Sequence, residues 1–151
     1  MNIAIILSGG VGTRMGEACP KQYIKVADKP IINYCVKTFC NNPRIDKIVI
    51  CLADEWRAFV EESLKDIVTT QSIIYSKPGR TRQFTIYNAL EKLESVGIAA
   101  DDIVIIHDAA RPLVTQQLID ACLDENRICD GVLPVIPMKD TIYMSRDGRN
   151  I

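Results

Sequence analysis

Histidines and paired cysteines are scarce in this sequence. It contains one histidine, His107, and its six cysteines form no C-x-x-C pair. A zinc site needs several such ligands and a Ser-His-Asp triad needs a histidine, so both are disfavoured elsewhere in the chain. Most of the cysteines lie in apolar helix or strand patterns, where a thiol acts as a small hydrophobic side chain. We therefore predict reduced core cysteines without disulfides, at positions 19, 35, 40, 51, 122 and 129.

An excess of charge of one sign is also lacking. The 18 Lys and Arg nearly balance the 19 Asp and Glu, for a net charge of -1. A nucleic-acid surface needs a basic excess, so we expect no nucleic-acid partner and only a local phosphate site. Apolar runs such as residues 3–7 are far shorter than the ~20 residues that cross a bilayer. The N-terminus lacks the basic segment of a signal peptide, so we expect a cytoplasmic protein without a membrane partner.

What the sequence does contain is an alternation of short apolar runs with helical patterns. With 151 residues, 48% of them hydrophobic, it predicts a single α/β domain with a doubly wound, mostly parallel sheet. Pro30 is expected to begin the first helix, and Thr115 to cap the last. An Asp-Gly turn at residues 147–148 predicts a hairpin whose second strand lies beyond Ile151. We therefore expect either an incomplete domain or a tail, residues 139–151, that pairs with another chain. The predicted strands cover residues 2–7, 47–52, 72–75, 103–107, 131–135 and 140–144.

A glycine-rich loop, S-G-G-V-G-T-R-M-G, directly follows the first strand. Consecutive glycines let backbone N–H groups surround a phosphate, so we predict a phosphate site here. The loop is not a Walker A motif, and it fits the dinucleotide fingerprint poorly because Met15 occupies the third glycine position. Arg14 and Lys21, the latter in a P-K-Q segment, place two cations beside the phosphates, where they can stabilise a transition state. The alternative is a glycine turn with two solvated cations.

The segment H-D-A-A-R-P ends the predicted strand at residues 103–107, at the sheet edge where open α/β sheets bind ligands. Asp108 can hold a hydrated magnesium ion or accept a substrate hydroxyl, and Arg111 can bind a phosphate through two nitrogens. The alternative is an Asp-Arg pair that caps the strand end. For His107 we favour a structural role.

Between these motifs, G-R-T-R-Q-F-T opens a helix with hydroxyl and amide side chains in its first turn. Such groups are suited to recognising a base or a ribose. Taken alone, the segment fits a solvated helix start with exposed Arg80 and Arg82 equally well.

The order of these motifs resembles a known family. A first strand is followed by G-G-x-G-x-R-M, P-K-Q, G-x-x-R-x-x-T, H-D-A-A-R-P and D-T, which is similar to the sugar-phosphate cytidylyltransferases that act on 2-C-methyl-D-erythritol 4-phosphate or ribitol 5-phosphate. The resemblance covers the whole chain and implies a Rossmann-like nucleotidyltransferase fold. It also implies that CTP and a sugar-alcohol phosphate give a CDP-alditol and pyrophosphate, with magnesium (Mg2+), on a homodimer whose subunits exchange a β-arm.

The resemblance further assigns residues by position. It implies that Asp108, Arg111 and Thr141 contact the alditol phosphate, with Thr141 reaching into the partner's site. Family members continue past Ile151 with further binding residues, so these 151 residues alone are expected to be inactive. The residues implied to hold the triphosphate are Ser8, Gly9, Gly10, Gly12, Arg14 and Lys21, and those implied to surround the cytidine are Gly79, Thr85 and Ala109.

Two motifs of this sequence point to different acceptors, one for each branch of the family. The S-G-G-V-G loop resembles the ribitol enzymes, whereas H-D-A-A-R-P is the methylerythritol form, and we favour methylerythritol phosphate because the Ala109-Ala110 pair offers a small apolar surface to its methyl group. A phosphate monoester is already anionic at pH 7 and can attack the α-phosphorus of CTP without a general base. Two other classes of function remain. One is a non-catalytic nucleotide-binding module. The other is a nicotinamide-dependent oxidoreductase, although this sequence lacks the third glycine and the acidic residue that a dinucleotide-binding motif requires.

Overall fold

A parallel sheet forms the centre of the computed structural model, which describes residues 1–10, 19–126, 128–141 and 143–145. Its four strands lie in the order β5-β4-β1-β6, and a separate antiparallel pair joins β2 and β3. Every pairing in the larger sheet is parallel. The described strands are β1 (Asn2–Leu7), β2 (Lys25–Val26), β3 (Lys29–Pro30), β4 (Lys47–Cys51), β5 (Ser72–Ser76) and β6 (Ile103–Asp108).

Helices connect these strands and begin where the sequence predicts. Pro30 occupies the N-cap position of the first helix. The Thr115 hydroxyl accepts a hydrogen bond from the Leu118 N–H and so caps the last one, as predicted. A 3-10 helix (Lys21–Tyr23) precedes them, and the described α-helices are α1 (Ile31–Cys40), α2 (Asp54–Leu64), α3 (Arg82–Glu94) and α4 (Gln116–Glu125).

The sheet is buried on both faces, which explains why its strands are continuously apolar. Ile3 and Ile5 of β1 point to one face, where they pack with Ala89 and Leu93 of α3. Alternate residues of the strands point to the other face, where the core extends over the remaining helices and includes Ala4, Ile6, Val36, Phe39, Val60, Leu64, Ile119 and Leu123. Helices on both faces of a parallel sheet confirm the predicted doubly wound α/β fold.

The order of the strands reverses beside β1. From β1 the chain passes outward through β4 and β5, then returns to place β6 on the opposite side of β1. In such sheets the connections on either side of the reversal diverge, and a crevice opens at the carboxyl ends of the two central strands. The glycine loop after β1 and the segment after β6 therefore meet at this crevice.

The predicted strand at residues 131–135 is wrong. These residues have no regular secondary structure, and Leu133 and Val135 are 82% and 77% exposed. Pro134 and Pro137 lack the N–H that a ladder needs, which weakens pairing along the free edge of β6. The strand predicted at residues 140–144 is also not formed in its described residues, 140, 141, 143 and 144, and the hairpin turn at residues 147–148 lies outside the described residues. No helix in the described ranges is both long and apolar enough to span a bilayer.

Candidate active site

The glycine loop begins directly after the carboxyl end of β1, with Ser8, Gly9 and Gly10. The Ser8 N–H donates to the Cys51 carbonyl at 2.8 Å, which extends the sheet register by one residue. Ser8 is 2% exposed, and its hydroxyl donates to the Tyr23 hydroxyl at 2.9 Å. The Ser8 side chain is therefore used inside the protein, so residues 8–10 can offer a phosphate only backbone N–H groups.

The two described glycines of the loop have different surroundings. A Cβ on Gly9 would lie 2.3 Å from Cβ of Pro78, whereas one on Gly10 would meet none of the described residues within 4 Å. Glycine at position 9 thus allows the loops after β1 and β5 to approach each other closely. Gly12 and Arg14, both predicted to bind the triphosphate, lie outside the described residues.

The P-K-Q segment forms the 3-10 helix beneath this loop. Nε2 of Gln22 donates to the carbonyls of Ser8 and Gly10, both at 2.8 Å. The Tyr23 hydroxyl donates to the Ser8 carbonyl at 3.0 Å, and the Tyr23 ring stacks on Trp56 with centroids 4.6 Å apart. These contacts hold Lys21, which is exposed, at the mouth of the crevice.

Asp108, at the end of β6, lies between two arginines. Nε of Arg111 is 3.1 Å from one carboxylate oxygen, and Nε of Arg82 is 3.4 Å from the other. The Ala109 N–H donates to the Leu7 carbonyl at 2.9 Å, so Ala109 is buried against β1 and lies behind the wall of the crevice. The predicted Asp108–Arg111 pairing is present, and Arg82 joins it.

His107 holds the backbone of this loop. Its Nε2 is 2.9 Å from the Arg111 carbonyl, and its ring packs on Phe39 with centroids 5.3 Å apart. Burial lowers the pKa of His107, and the hydrogen bond to the Arg111 carbonyl opposes this shift only partly. The ring is accordingly neutral at pH 7, and the expected structural role fits its contacts.

Gly79 and Thr85 form the third wall. The Gly79 N–H donates to the Thr85 hydroxyl at 2.9 Å, and that hydroxyl donates to the Thr81 carbonyl at 3.0 Å. A Cβ on Gly79 would lie 2.4 Å from Cβ of Phe84, so glycine allows α3 to begin close to the loop. The Thr85 hydroxyl thus shapes the wall, and both residues still line the crevice.

These walls enclose a crevice of about 520 Å³. The predicted residues that it brings together are Gly9, Gly10, Lys21, Gly79, Thr85, Asp108 and Arg111, with Arg80, Arg82, Gln22 and Ala110 in addition. Four of these side chains are cationic and one is anionic, a balance that favours a phosphorylated ligand. Thr141 is exposed and does not line the crevice.

Sequence reasoning missed Arg82 and Gln22 as site residues. Arg82 is the first residue of α3, three positions after Gly79, and this spacing is a signal that could have pointed to the crevice. Gln22 stands next to Lys21 in the P-K-Q segment. Its role depends on contacts with a separate part of the chain, so no local pattern predicts it.

A second crevice, of about 560 Å³, runs along β6 and α4. It is larger, but its walls are mostly apolar side chains such as Phe39, Ile105 and Leu118. The smaller crevice contains the glycine loop and the cations, so the chemistry of a phosphorylated ligand assigns the site to it.

The described residues do not form a metal site of their own. Both Asp108 oxygens are paired with guanidinium groups, and no cluster of three or more His, Cys, Asp or Glu suited to a metal ion occurs in residues 1–10, 19–126, 128–141 and 143–145. A protein-held magnesium ion needs free oxygen ligands. Asp108 forms ion pairs with Arg82 and Arg111, and both its metal role and the use of magnesium stay predictions.

A doubly wound parallel sheet with a glycine loop and a cationic crevice at its strand reversal defines a nucleotide-binding α/β protein. The family model described as "IspD: 2-C-methyl-D-erythritol 4-phosphate cytidylyltransferase" matches residues 2–151. The chain belongs to this family, which confirms the resemblance given by its motifs.

Curated relatives carry two different names. A 2-C-methyl-D-erythritol 4-phosphate cytidylyltransferase of Clostridium beijerinckii is 36% identical over 147 residues, covering 97% of this chain and 62% of the relative. A ribitol-5-phosphate cytidylyltransferase of Lactiplantibacillus plantarum is 35% identical over 147 residues, covering 94% of this chain and 62% of the relative. The chain therefore spans about three fifths of the length of these relatives.

Solved structures agree on the fold. The crystal structure of 4-diphosphocytidyl-2C-methyl-D-erythritol synthase from Anaerococcus prevotii superposes with a TM-score of 0.79 at 20% identity, covering 99% of this chain and 61% of the other. A second synthase structure of the same name gives a TM-score of 0.76 at 23% identity, covering 98% and 64%. At these identities the likeness establishes the fold alone.

Proposed function

We propose that this chain is the nucleotide- and acceptor-binding part of a cytidylyltransferase that joins CTP to 2-C-methyl-D-erythritol 4-phosphate. The observation that carries the proposal is the meeting of the glycine loop and Lys21 with Arg82, Asp108 and Arg111 in one crevice. One wall suits a triphosphate and the opposite wall suits a second phosphate. Membership of the family supports this pairing of ligands.

In the proposed reaction the triphosphate lies on the glycine loop. The acceptor's phosphate oxygen forms a new bond to the α-phosphorus while the bond from that phosphorus to the bridging oxygen breaks, so pyrophosphate leaves with the bond's electron pair. The Lys21 ammonium, together with Arg14 of the same loop, offsets the charge on the five-coordinate phosphorus. No proton has to be removed from the acceptor phosphate, so the mechanism needs no histidine base.

The acceptor side depends on charge and shape. Arg111 and Arg82 can transfer their ion pairs from Asp108 to an incoming phosphate, and the freed carboxylate can accept hydrogen bonds from the acceptor's hydroxyl groups. Ala110 lines the crevice and gives a methyl branch a small apolar contact. Ribitol 5-phosphate is the second candidate acceptor, because the Lactiplantibacillus plantarum relative carries that name.

The proposal also includes a homodimer, a requirement for magnesium and a cytoplasmic location. Residues 139–151 would begin a β-arm that is exchanged in a homodimer, which would bring Thr141 to the acceptor in the partner's crevice. Magnesium would be needed for activity, and the protein would work in the cytoplasm. Light scattering, with and without residues 139–151, tests the dimer, and a monomer at all concentrations would contradict it.

The experiment that tests the function combines binding with turnover. Calorimetry compares CTP, UTP, ATP and GTP, and equal affinity for all four would remove the preference for cytidine. Pyrophosphate release is then followed with each acceptor in a full-length version of the enzyme, with the Clostridium beijerinckii relative as reference. We expect kcat/KM to favour methylerythritol phosphate by about tenfold, or ~1.4 kcal/mol in transition-state binding. The same preference for ribitol 5-phosphate would contradict that assignment.

A variant at position 21 tests the proposed chemistry. In a full-length version of the enzyme, Lys21→Ala is expected to lower kcat about 10²-fold, because the ammonium acts on charge that develops in the transition state. A kcat close to that of the unaltered protein would remove Lys21 from the mechanism. If a full-length version binds CTP without any turnover while the relative is active, a non-catalytic nucleotide-binding function replaces the enzyme.

A further inference from the structure

Gln22 is a buried amide that no step of the proposed reaction uses. The residue is 3% exposed, and its Nε2 donates to the Ser8 and Gly10 carbonyls, both at 2.8 Å. Both partners are acceptors, so the orientation of the amide group is fixed by chemistry. Its two N–H groups are thereby both engaged by the glycine loop.

These two bonds fix the direction of the loop's own donors. In a trans peptide unit the N–H points opposite to the carbonyl, so holding the Ser8 carbonyl directs the Gly9 N–H away from Gln22. Within the described part of the chain no acceptor is bonded to that N–H. The Gly9 N–H is therefore available to an anion in the crevice.

The same side chain joins the two halves of the phosphate wall. Gln22 follows Lys21 in the 3-10 helix, and its amide spans from that helix to the loop after β1. Tyr23 adds a second connection, since its hydroxyl donates to the Ser8 carbonyl at 3.0 Å. The backbone of Lys21 and residues 8–10 of the loop are thus held in one arrangement.

We propose that Gln22 is a positioning residue for the triphosphate: its amide holds the Gly9 N–H and Lys21 in the arrangement that binds phosphate before the nucleotide arrives. Preorganised donors bind more tightly because less order is lost on binding. This inference takes its ligand, CTP, from the proposed function, and takes the role of Gln22 from its hydrogen bonds to Ser8 and Gly10.

The test uses Gln22→Met, which keeps the length of the side chain and removes both donors. Gln116→Met is the matched control, because Nε2 of Gln116 also donates to a backbone carbonyl, that of Thr38 at 2.7 Å, and its Oε1 accepts from Nδ2 of Asn42 at 2.8 Å. These contacts lie on α1 and just after it, and Gln116 does not line the crevice. Both variants lose a partly or fully buried amide, so both should lower the melting temperature. Only Gln22→Met should raise the Kd for CTP, by about tenfold or more.

Two further measurements separate positioning from general stability. Gln22→Glu offers one donor when its carboxyl is protonated, so its affinity relative to the unaltered protein should be better at pH 6 than at pH 8. NMR order parameters of the Gly9 and Gly10 amides, without ligand, should be near 0.85 in the unaltered protein and fall below about 0.6 in Gln22→Met.

The results test the role of Gln22 and the proposed function separately. Unchanged order parameters in Gln22→Met, or a Kd for CTP that stays within about twofold of the unaltered protein, would overturn the role of Gln22. If the unaltered protein binds none of the nucleotides, the proposed function fails for this chain. The order parameters then still decide whether Gln22 holds the loop.

Discussion

Gly9 and Gly10 provide a matched pair of substitutions at the scale of single residues. We expect Gly9→Ala to destabilise the protein by about 1–3 kcal/mol, because its Cβ would lie 2.3 Å from Cβ of Pro78, whose ring is stiff. Gly10→Ala meets no atom of the described residues within 4 Å and should change stability by less than about 0.5 kcal/mol. Urea denaturation measures both, and equal effects of the two changes would contradict the close approach.

Residues of the site were predictable where they follow a strand directly. Gly9, Gly10, Asp108 and Arg111 meet because the carboxyl ends of parallel strands share one edge, which the sequence pattern is sufficient to indicate. The engagement of the Ser8 hydroxyl by Tyr23 was not predictable in the same way. It depends on how a segment without a strong local pattern folds back, and this is decided by packing on Trp56 rather than by spacing.

At the scale of elements, the loop after β6 should respond to pH through His107. Burial lowers the pKa of His107 from its ordinary value of 6.5, so the unfolded chain binds a proton more readily than the folded one. This contribution to stability is fully present above about pH 6.5 and is lost as the pH falls from there through the folded-state pKa.

Denaturation of the unaltered protein and of His107→Gln between pH 7.5 and 5.5 measures this contribution. The unaltered protein should lose more stability over the interval, because the glutamine does not titrate. Parallel curves for the two proteins would show that His107 has the same pKa folded and unfolded, contrary to its burial against Phe39.

Some secondary-structure elements were predicted correctly from the sequence and others were not. The strands of the parallel sheet and the start of α4 followed from apolar runs and a threonine cap. The run at residues 131–135 was misjudged because its hydrophobicity was weighed above Pro134, although a proline cannot donate to a ladder. Apolar character alone does not tell which residues are buried, nor which stretch of backbone has a neighbouring strand to pair with.

For the molecule as a whole, the cysteines provide a probe of global unfolding. Burial raises the pKa of Cys35 and of Cys51 to about 12, whereas Cys129 is exposed. At pH 8 only about 10⁻⁴ of a thiol with such a pKa is ionised, so it reacts slowly even when it is reached. The expectation of core cysteines holds for the buried three, Cys35, Cys40 and Cys51, and not for Cys129.

We expect iodoacetamide at pH 8 to modify Cys129 first, and to modify Cys35 and Cys51 only after the protein unfolds in denaturant. Mass spectrometry of peptides locates the label, and Cys129→Ser should remove the fast reaction. Equal rates at Cys35 and Cys129 in the native protein would mean that the core opens locally without global unfolding.

The stack of Tyr23 on Trp56 gives this protein a natural optical signal. Trp56 is the sole tryptophan of the chain, and the ring it stacks on is bonded through its hydroxyl to the first residue of the glycine loop. Occupation of the loop should therefore change the emission of Trp56, and Trp56→Phe should remove the change. Stopped-flow fluorescence could then follow nucleotide association in real time without any attached dye, and an arrival rate falling with added salt would reveal long-range attraction by the cationic crevice.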